Sequence, residues 1–497
     1  MTEPPDGYLG THGRITRGPA PELVEAGYAL ETADAALLHR GLSLADLAHL
    51  LALVEAGAVD PERVRRLLTR LLELLDVPAA DFPYDPVYGD AYNSRERVLE
   101  AELGDEAGWL HLGRTRREAG RIAFRIALRG LLLDLHDDVC GFAAALATAE
   151  ESHADTLWAD STYLQPAQPS TFGHYLGQFA EQCLRHLTRL RAAYDSADIC
   201  PAGAGGAGGS RIPVDRSRLA ALLGFETVGA NTRDAMWSVD ALVDAVTAAV
   251  QTGLTVNQLA EDLEIFASPA FDYVELDASL CRASVLMPQK RNPYALAVLR
   301  GGVGTLSGRL AGAVATARTP SARTDNWLYA YGEVAGTLQL AGRLVRLGAA
   351  VVRGLTVNVE RLAGLAAGDF IGAADLAEDL SQAQQLDYRT TYRIVGRAVA
   401  AAGDGQLTVE GLSSAAAEVT GEPLAVDPEL LAASVDARAL VAARSASGGA
   451  APERVREHAG LVRRTIGTQG RWRDERHHGL AAAEAGLTTA ARAFAGS

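Results

Sequence analysis

One segment in the middle of the chain combines residue types that can take a proton from carbon and hold the resulting charge. Ser284, Lys290 and Asn292 lie close together in the run SVLMPQKRNP, residues 284–293. When a carbon next to a carboxylate loses a proton, that carboxylate gains charge, so a fixed cation and an amide donor stabilise this state more than the ground state. Lys290 and Asn292 supply these two groups. Ser284 is the candidate base, although a serine is a weak base unless cations or loop amides stabilise its alkoxide.

Long helical patterns surround this segment, with Ala and Gly mixed among Leu and Val, which lets helices approach closely. They predict a bundle of helices at 118–152, 174–197, 232–267, 293–317 and 332–355. Irregular segments at the ends of these helices are the expected positions for chemistry. Three such segments are 113–118, 162–169 and 279–293.

The flanking regions carry shorter helical patterns. Ser43 is predicted to cap a helix that ends at Gly57, and Asp60 with Pro61 is predicted to begin another that runs to Leu75. Near the other end, helices are predicted at 373–385 and 390–402, followed by a mixed tail. The sequence therefore predicts an all-α fold with three helical domains, at 1–112, 113–365 and 366–497, of which the central one is the long-helix bundle.

Composition excludes some classes of partner and favours one location. The chain has 497 residues and a net charge of −16, so neither nucleic acid nor an anionic membrane has electrostatic support as a partner. Four cysteines without metal-ligand spacing, and no visible secretory signal, favour the cytoplasm. None of the apolar helices is interpreted as a membrane span. The glycine-rich run 201–210 lacks the ending of a phosphate-binding loop and is interpreted as a turn between helices.

The segment at 284–293 resembles the loop of the fumarase/aspartase superfamily usually written GSSxMPxKxNP. Further stretches resemble the argininosuccinate lyase branch of that superfamily: LHLGRTR at 110–116, TYLQPAQP at 162–169, PVDR at 213–216, and the segments around 268–276 and 388–396. The resemblance therefore extends over most of the chain.

This resemblance implies a lyase that breaks, or forms, the C–N bond of an N-substituted aspartate by β-elimination or its reverse, with fumarate as product or co-substrate. It implies Ser284, Lys290 and Tyr163 as catalytic residues. The implied substrate-binding residues are Thr115, Arg116, Arg117, Thr162, Gln165, Asn292 and Arg323. It further implies a homotetramer in which several subunits build each site, a small dicarboxylate substrate, and no metal or organic cofactor.

The chain departs from the branch where the leaving group would lie. Tyr163 replaces a histidine, and Ala297 replaces the glutamate that normally pairs with it. Tyr163 either donates a proton, although an ordinary phenol has a pKa of about 10, or only fills space. Other replacements are Arg117-Glu118 for Asn-Asp, Ser238-Val239 for Asp-Arg, and residues 323–329 for the element YNxDLQxxK.

These departures argue against argininosuccinate as the substrate. Arg117 and Arg323 would suit an anionic leaving group, or they are surface arginines in salt bridges. Two other functions remain open at this point. One is different chemistry on the same fold, such as a cycloisomerase. The other is a non-catalytic relative, either crystallin-like or a regulatory partner of a true lyase.

Overall fold

A computed structural model describes residues 14–15, 17–323, 327–368, 370–403 and 405–496. Helices form most of the described chain, and its strands occur only as four short pairs. The all-α prediction is therefore confirmed.

The N-terminal region is a set of helices around a buried apolar core. The helices are α1 (Pro21–Leu23), α2 (Ala29–Ala33), α3 (Ala35–Glu55), α4 (Pro61–Leu74) and α5 (Ala91–Leu103). A π-helical turn lies at Val24–Tyr28, and 3₁₀ turns lie at Ala79–Asp81, Pro86–Tyr88 and Gly104–His111.

The two helix caps predicted here have different outcomes. Asp60 caps α4 as predicted, since its side chain accepts a hydrogen bond from the Glu62 amide at 3.0 Å. The prediction for Ser43 is wrong, because α3 already begins at Ala35 and Ser43 is buried inside it. The Ser43 hydroxyl instead accepts a 3.0 Å hydrogen bond from the Arg95 guanidinium.

Among the described residues, one helix, α3, is sufficiently long and apolar to cross a membrane by length and composition. However, 83% of its most apolar window is buried inside the protein. Its leucines pack against α4, so the hydrophobic core accounts for its apolar composition.

The central region is the expected bundle. Its helices are α6 (Arg116–Ser152), α7 (Phe172–Ala197), α8 (Arg216–Leu222), α9 (Thr232–Trp237), α10 (Asp240–Phe266), α11 (Tyr294–Ala317) and α12 (Ala330–Arg353). α6 packs against α7 and α12 through buried residues such as Phe124, Leu128 and Phe142. The predicted helix 232–267 is two helices, since the chain bends at Ser238 and Val239.

Short strands connect the helices where the sequence predicts irregular loops. The antiparallel pairs are β1 (Leu157–Thr162) with β2 (Gln165–Thr171), β5 (Val274–Leu276) with β8 (Leu355–Val357), and β6 (Arg282–Ala283) with β7 (Arg291–Asn292). The parallel pair is β3 (Ile199–Cys200) with β4 (Thr227–Val228), and a 3₁₀ turn lies at Ala278–Leu280. Two of these pairs are hairpins that carry predicted site residues.

The C-terminal region contains a third hydrophobic core, built mainly by α14 to α16. Its helices are α13 (Val359–Ala366), α14 (Ala373–Gln384), α15 (Tyr388–Ala402), α16 (Val409–Thr420), α17 (Pro428–Ala433), α18 (Ala437–Ala443) and α19 (Pro452–Gly496). α19 is a 45-residue helix rather than part of a mixed tail. It returns along α6 to the N-terminal core, where Leu487 and Ala491 are buried. The division at 112 and 365 stays a prediction.

Candidate active site

Ser284, Lys290 and Asn292 lie on the hairpin formed by β6 and β7. Asn292 donates from its side-chain amide to the Arg282 carbonyl at 2.9 Å, which ties the two strands together. Ser284 follows β6 directly, and its hydroxyl accepts a hydrogen bond from the Met287 amide at 3.0 Å. The Lys290 amide in turn donates to the Met287 carbonyl at 3.0 Å. The chain between Ser284 and Lys290 therefore folds back on itself.

This turn projects from the body of its own chain. Leu286 is 86% exposed, and Val285 beside it is fully exposed. Lys290 is exposed as well, and it has no carboxylate partner within the described residues. An exposed apolar pair beside an uncompensated cation is typical of a surface that another molecule covers.

Lys290 is the only lysine in the chain, which has 46 lysines and arginines together. All the other residues in this count are arginines. An ammonium group is a compact point charge, whereas a guanidinium is a planar fork of donors.

Thr162, Tyr163 and Gln165 lie at the tip of the β1–β2 hairpin. Thr162 pairs with Gln165, so Tyr163 and Leu164 are the two residues of the turn. Both have positive φ, 57° and 58°, which is the backbone of a two-residue hairpin turn usually occupied by Asn-Gly. Tyr163 is 98% exposed. Within its own chain, Tyr163 therefore neither fills space nor faces a reacting group.

Thr115 caps the first turn of α6, at the end of the bundle opposite to the two hairpins. Its hydroxyl accepts a hydrogen bond from the Glu118 amide at 3.3 Å and donates to the Gly205 carbonyl at 3.2 Å. Beside it lies an open cavity of about 630 Å³. The cavity is lined by His111, Gly113, Arg114, Thr115, Gly205, Gly206, Gly209, Ser210, Arg211 and Ile212. The glycine-rich run is thus a connecting loop, as predicted, and it also forms a wall of this cavity.

Glu118 is a buried residue of this end that was not predicted as a site residue. Glu118 is buried, and its carboxylate accepts hydrogen bonds from the amides of Gly203 and Gly205, at 2.7 and 2.5 Å. Burial raises the pKa of Glu118 to about 7, although the Gly203 amide and the nearby Arg114 oppose this shift. Two features of the sequence concerned it: its place in the segment 113–118 and the replacement of the branch's Asn-Asp by Arg117-Glu118.

The arginines after Thr115 are both ion-paired. Arg116 lies 2.8 Å from Asp90, and Arg117 lies 3.0 Å from Glu31 and 3.7 Å from Asp90. The salt-bridge alternative for Arg117 therefore matches the structure. Two cations in the first turn of a helix oppose its dipole, and the two carboxylates offset this cost.

The remaining departures lie at the same end as Thr115 or on an outer face. Arg323 is exposed, and residues 324–326 after it lie outside the described residues. Val239 lines a mostly apolar cavity of about 390 Å³ between α10, α11 and α12. Ala297 is exposed on the first turn of α11.

The site residues fall into two groups. The hairpin end comprises residues 157–171 and 282–292. Trp158 packs on Phe266, at the end of α10, with ring centroids 5.9 Å apart, and the β6–β7 hairpin leads into α11, which packs along α10. The cavity end comprises residues 111–118 and 201–212. α6 runs from one end to the other with 37 residues, which at about 1.5 Å per residue is about 55 Å. One chain therefore cannot bring Thr115 and Thr162 into one site.

No group of three His, Cys, Asp or Glu side chains able to hold a metal ion occurs in the described parts of the chain. The four cysteines are free thiols, and Cys140, Cys183 and Cys200 are buried.

The chain is similar in sequence and in fold to known lyases. The sequence profile of the family described as Lyase matches residues 39–308. The argininosuccinate lyase of Methanoculleus marisnigri is 30% identical over 91% of this chain and 92% of its own length. A variant of EDDS lyase with bound fumarate has a TM-score of 0.84 at 25% identity, with 98% of each chain covered. A class II fumarase from Schistosoma mansoni shares the fold, with a TM-score of 0.68 at 14% identity over 82% of this chain and 91% of its own.

The fold and the loop at 284–293 thus define a lyase of the all-α class. More narrowly, the chain belongs to the argininosuccinate lyase-like branch of the fumarase/aspartase superfamily.

Proposed function

We propose that this protein is a carbon–nitrogen lyase that catalyses β-elimination of an N-substituted aspartate, or the reverse addition of an amine to fumarate. The observation that carries the proposal is Lys290, the single lysine of the chain, placed two residues before Asn292 and beside Ser284 on one hairpin. The relatives similar to this chain are named for lyases, and one of the similar structures holds fumarate.

In the proposed reaction, the Ser284 alkoxide takes the proton from Cβ. The electron pair left on carbon spreads into the neighbouring carboxylate, where Lys290 and Asn292 stabilise the additional charge. Collapse of this intermediate forms the double bond of fumarate and breaks the bond between Cα and nitrogen. The leaving nitrogen takes the electron pair and then a proton, which gives an amine.

We further propose that each site is completed between subunits of a homotetramer. Thr115 and Thr162 lie at the two ends of a helix of about 55 Å, yet both are expected to hold the same dicarboxylate. Only a second chain can bring the cavity end of one copy to the hairpin end of another. Exposure of Tyr163 and Leu286 is consistent with such coverage.

α11 offers a surface suited to this association. One face of the helix is exposed and carries small residues, and added Cβ atoms at Gly301, Gly304, Gly308 and Gly312 would meet nothing within 4 Å. Exposed Val298 and Val314 add apolar area to the same helix. Such faces let helices of neighbouring subunits approach closely.

The proposed substrate is a small dicarboxylate other than argininosuccinate. The hairpin end retains the groups for proton removal, whereas Tyr163 and Ala297 replace the branch's histidine and glutamate. Because Arg117 is already paired with Glu31 and Asp90, it gives little support to an anionic leaving group. We place the enzyme in the cytoplasm, in keeping with its free thiols.

The test is incubation of the protein with fumarate and a panel of amines and guanidines, followed by mass spectrometry. We expect adducts whose mass is the sum of fumarate and one amine. The Ser284→Ala variant should form none, while Ser279→Ala on the same segment, which removes a hydroxyl bonded to Asp277, should retain the activity. Equal adduct formation by Ser284→Ala would refute the role of Ser284. Turnover in which fumarate never takes part would favour the cycloisomerase alternative.

A further inference from the structure

The glycine loop at 201–210 is fixed by a carboxylate from α6. Gly203 and Gly205 have positive φ, 77° and 62°, and their amides both donate to the Glu118 carboxylate. Backbone N–H groups that converge in such turns form a concavity that binds anions. A side chain at Gly203 would also meet the Arg216 side chain at 2.7 Å. The loop is therefore shaped around Glu118.

Glu118 and Thr115 both form hydrogen bonds with the backbone of Gly205. Gly205 donates its amide to Glu118 and accepts at its carbonyl from the Thr115 hydroxyl, at 3.2 Å. The Glu118 amide in turn donates to the Thr115 hydroxyl. Any displacement of Gly205 therefore changes the direction of the Thr115 hydroxyl, which lines the cavity.

The charge of Glu118 has no ion-pair partner in the described chain, although cations face it. Arg114 lies on the preceding turn but pairs with Asp46, at 2.5 Å. Arg216 of α8 donates to the carbonyls of Ala202 and Gly229. Cys200 of β3 also faces Glu118, as a buried thiol whose pKa burial raises to about 12. The two glycine amides are thus the direct partners of the carboxylate.

We propose that Glu118 is a positioning residue for the elimination proposed above. Its carboxylate fixes Gly203 and Gly205 so that Thr115 presents its hydroxyl to a carboxylate of the substrate. Substrate does not contact Glu118, which acts through the loop. The proposal rests on the proposed function for the identity of the ligand, but the fixing of the loop is independent of turnover.

The arrangement gives the loop a dependence on pH. Burial raises the pKa of Glu118 to about 7, so the carboxylate is fully formed only above that pH. As the pH falls through about 7, a proton occupies one of the two acceptor oxygens, and one of the two amide hydrogen bonds is weakened. Order in the loop should therefore be greater on the alkaline side.

The experiment measures two properties of the full-length protein at pH about 5.5 and about 8.5. The first is amide hydrogen exchange in peptides that cover residues 201–210, corrected for the intrinsic rate at each pH. The second is affinity for fumarate, by calorimetry. We expect Glu118→Gln to increase exchange and weaken fumarate binding about tenfold at the alkaline pH, the usual effect of one hydrogen bond to a charged group. Where turnover is measured, KM should rise more than kcat falls.

Two further variants separate positioning from general loss of structure. Glu118→Asp keeps a carboxylate and should restore most of the affinity and its pH dependence. Thr232→Val removes another hydrogen bond to the loop, from the Thr232 hydroxyl to the Ala207 carbonyl at 2.9 Å, without a titrating group. Its effect should be the same at both pH values.

The outcomes are distinct. Unchanged exchange and unchanged fumarate affinity in a folded Glu118→Gln protein would overturn the proposal. If that variant does not fold, equal loop exchange of the wild type at the two pH values would overturn it. Should the wild type bind fumarate but make no adduct with any amine, the proposed function fails, while the exchange and fumarate-binding results still decide whether Glu118 fixes the loop.

Discussion

The two ends of the bundle hold their candidate site residues by different means. At the cavity end, Thr115 and Glu118 are bonded to the glycine loop, and Arg114 is buried against Asp46 and Tyr92. At the hairpin end, Tyr163 and Lys290 extend into solvent from two hairpins, although buried Trp158 packs the base of the β1–β2 hairpin against the bundle.

This difference indicates which part of the site is preorganised within one chain. The cavity end has its geometry fixed by buried charges and hydrogen bonds, so it can receive a carboxylate without rearrangement. In the proposed reaction the hairpin end supplies the base and the stabilising cation, and in the proposed assembly another copy covers these groups and excludes water. Electrostatic stabilisation of a carbanion intermediate is strong only after water is excluded. Assembly is therefore expected to control activity.

The largest expected effect comes from combining two inactive variants. Thr115→Asp keeps a good helix cap but puts a negative charge where substrate carboxylate would bind. Ser284→Ala removes the base at the other end. We expect each variant to be inactive alone, and a co-expressed mixture to regain activity, because some mixed assemblies contain a site built from one intact cavity end and one intact hairpin end. Activity is measured as fumarate release or adduct formation.

The control for this mixture is a double variant that carries both changes in one chain, co-expressed with the wild-type chain. A chain with both changes has neither an intact cavity end nor an intact hairpin end, so it cannot complement another inactive chain. If the mixture of single variants associates but stays inactive, each site lies within one chain, and the contrast between the two ends loses its functional meaning.

Removal of the cation at the hairpin end should cost rate rather than stability. Lys290→Met is expected to lower kcat by about 10²–10³, the usual effect of losing one preorganised group that stabilises transition-state charge. Lys290→Arg keeps the charge but not the ammonium geometry and should recover only part of the rate. Thermal unfolding of both variants should match the wild type, because Lys290 is exposed and unpaired within the described chain.

The same substitution at the cavity end is the matched comparison. Arg114→Met leaves Asp46 buried, with Arg95 still 3.7 Å away. Removing one partner of a buried pair typically costs about 3–5 kcal/mol in the free energy of unfolding. Denaturant unfolding would show the loss. If Lys290→Met destabilised the protein as much as Arg114→Met, the hairpin end would be a structural element and not a catalytic one.

The helices were largely predictable because their signals are local. Periodicity and the Asp60 cap place α4, and α7 and α12 begin within a few residues of their predicted starts. The cap prediction at Ser43 was wrong because the local sequence does not distinguish a serine that caps a helix from one inside a helix that bonds a distant arginine. In this case the partner is Arg95, 52 residues away.

The hairpin at 157–171 and the role of Glu118 were not predictable for different reasons. Pro166 and Pro169 argue against a strand, and the turn residues Tyr163 and Leu164 lack the glycine that marks a two-residue hairpin. Glu118 accepts hydrogen bonds from the amides of Gly203 and Gly205, which are 85 and 87 residues away in sequence. Local sequence patterns do not reveal contacts at that separation. The loop at 284–293 was found from sequence because its residues are contiguous.

Tyr163 gives the smallest effect and the finest test of the hairpin end. If its phenol protonates the leaving nitrogen, Tyr163→Phe should lower the rate about 10²-fold, within the usual range for general acid catalysis. The loss should increase with the basicity of the leaving amine, because a poor leaving group depends more on an acid. We expect this graded response across a series of N-substituted aspartates, measured as initial rates. Tyr163→Leu is the control, because it removes the aromatic ring as well as the hydroxyl, whereas Tyr163→Phe removes only the hydroxyl. A loss that is the same for every leaving group, and larger for Tyr163→Leu than for Tyr163→Phe, would mean that the ring only packs against the neighbouring subunit.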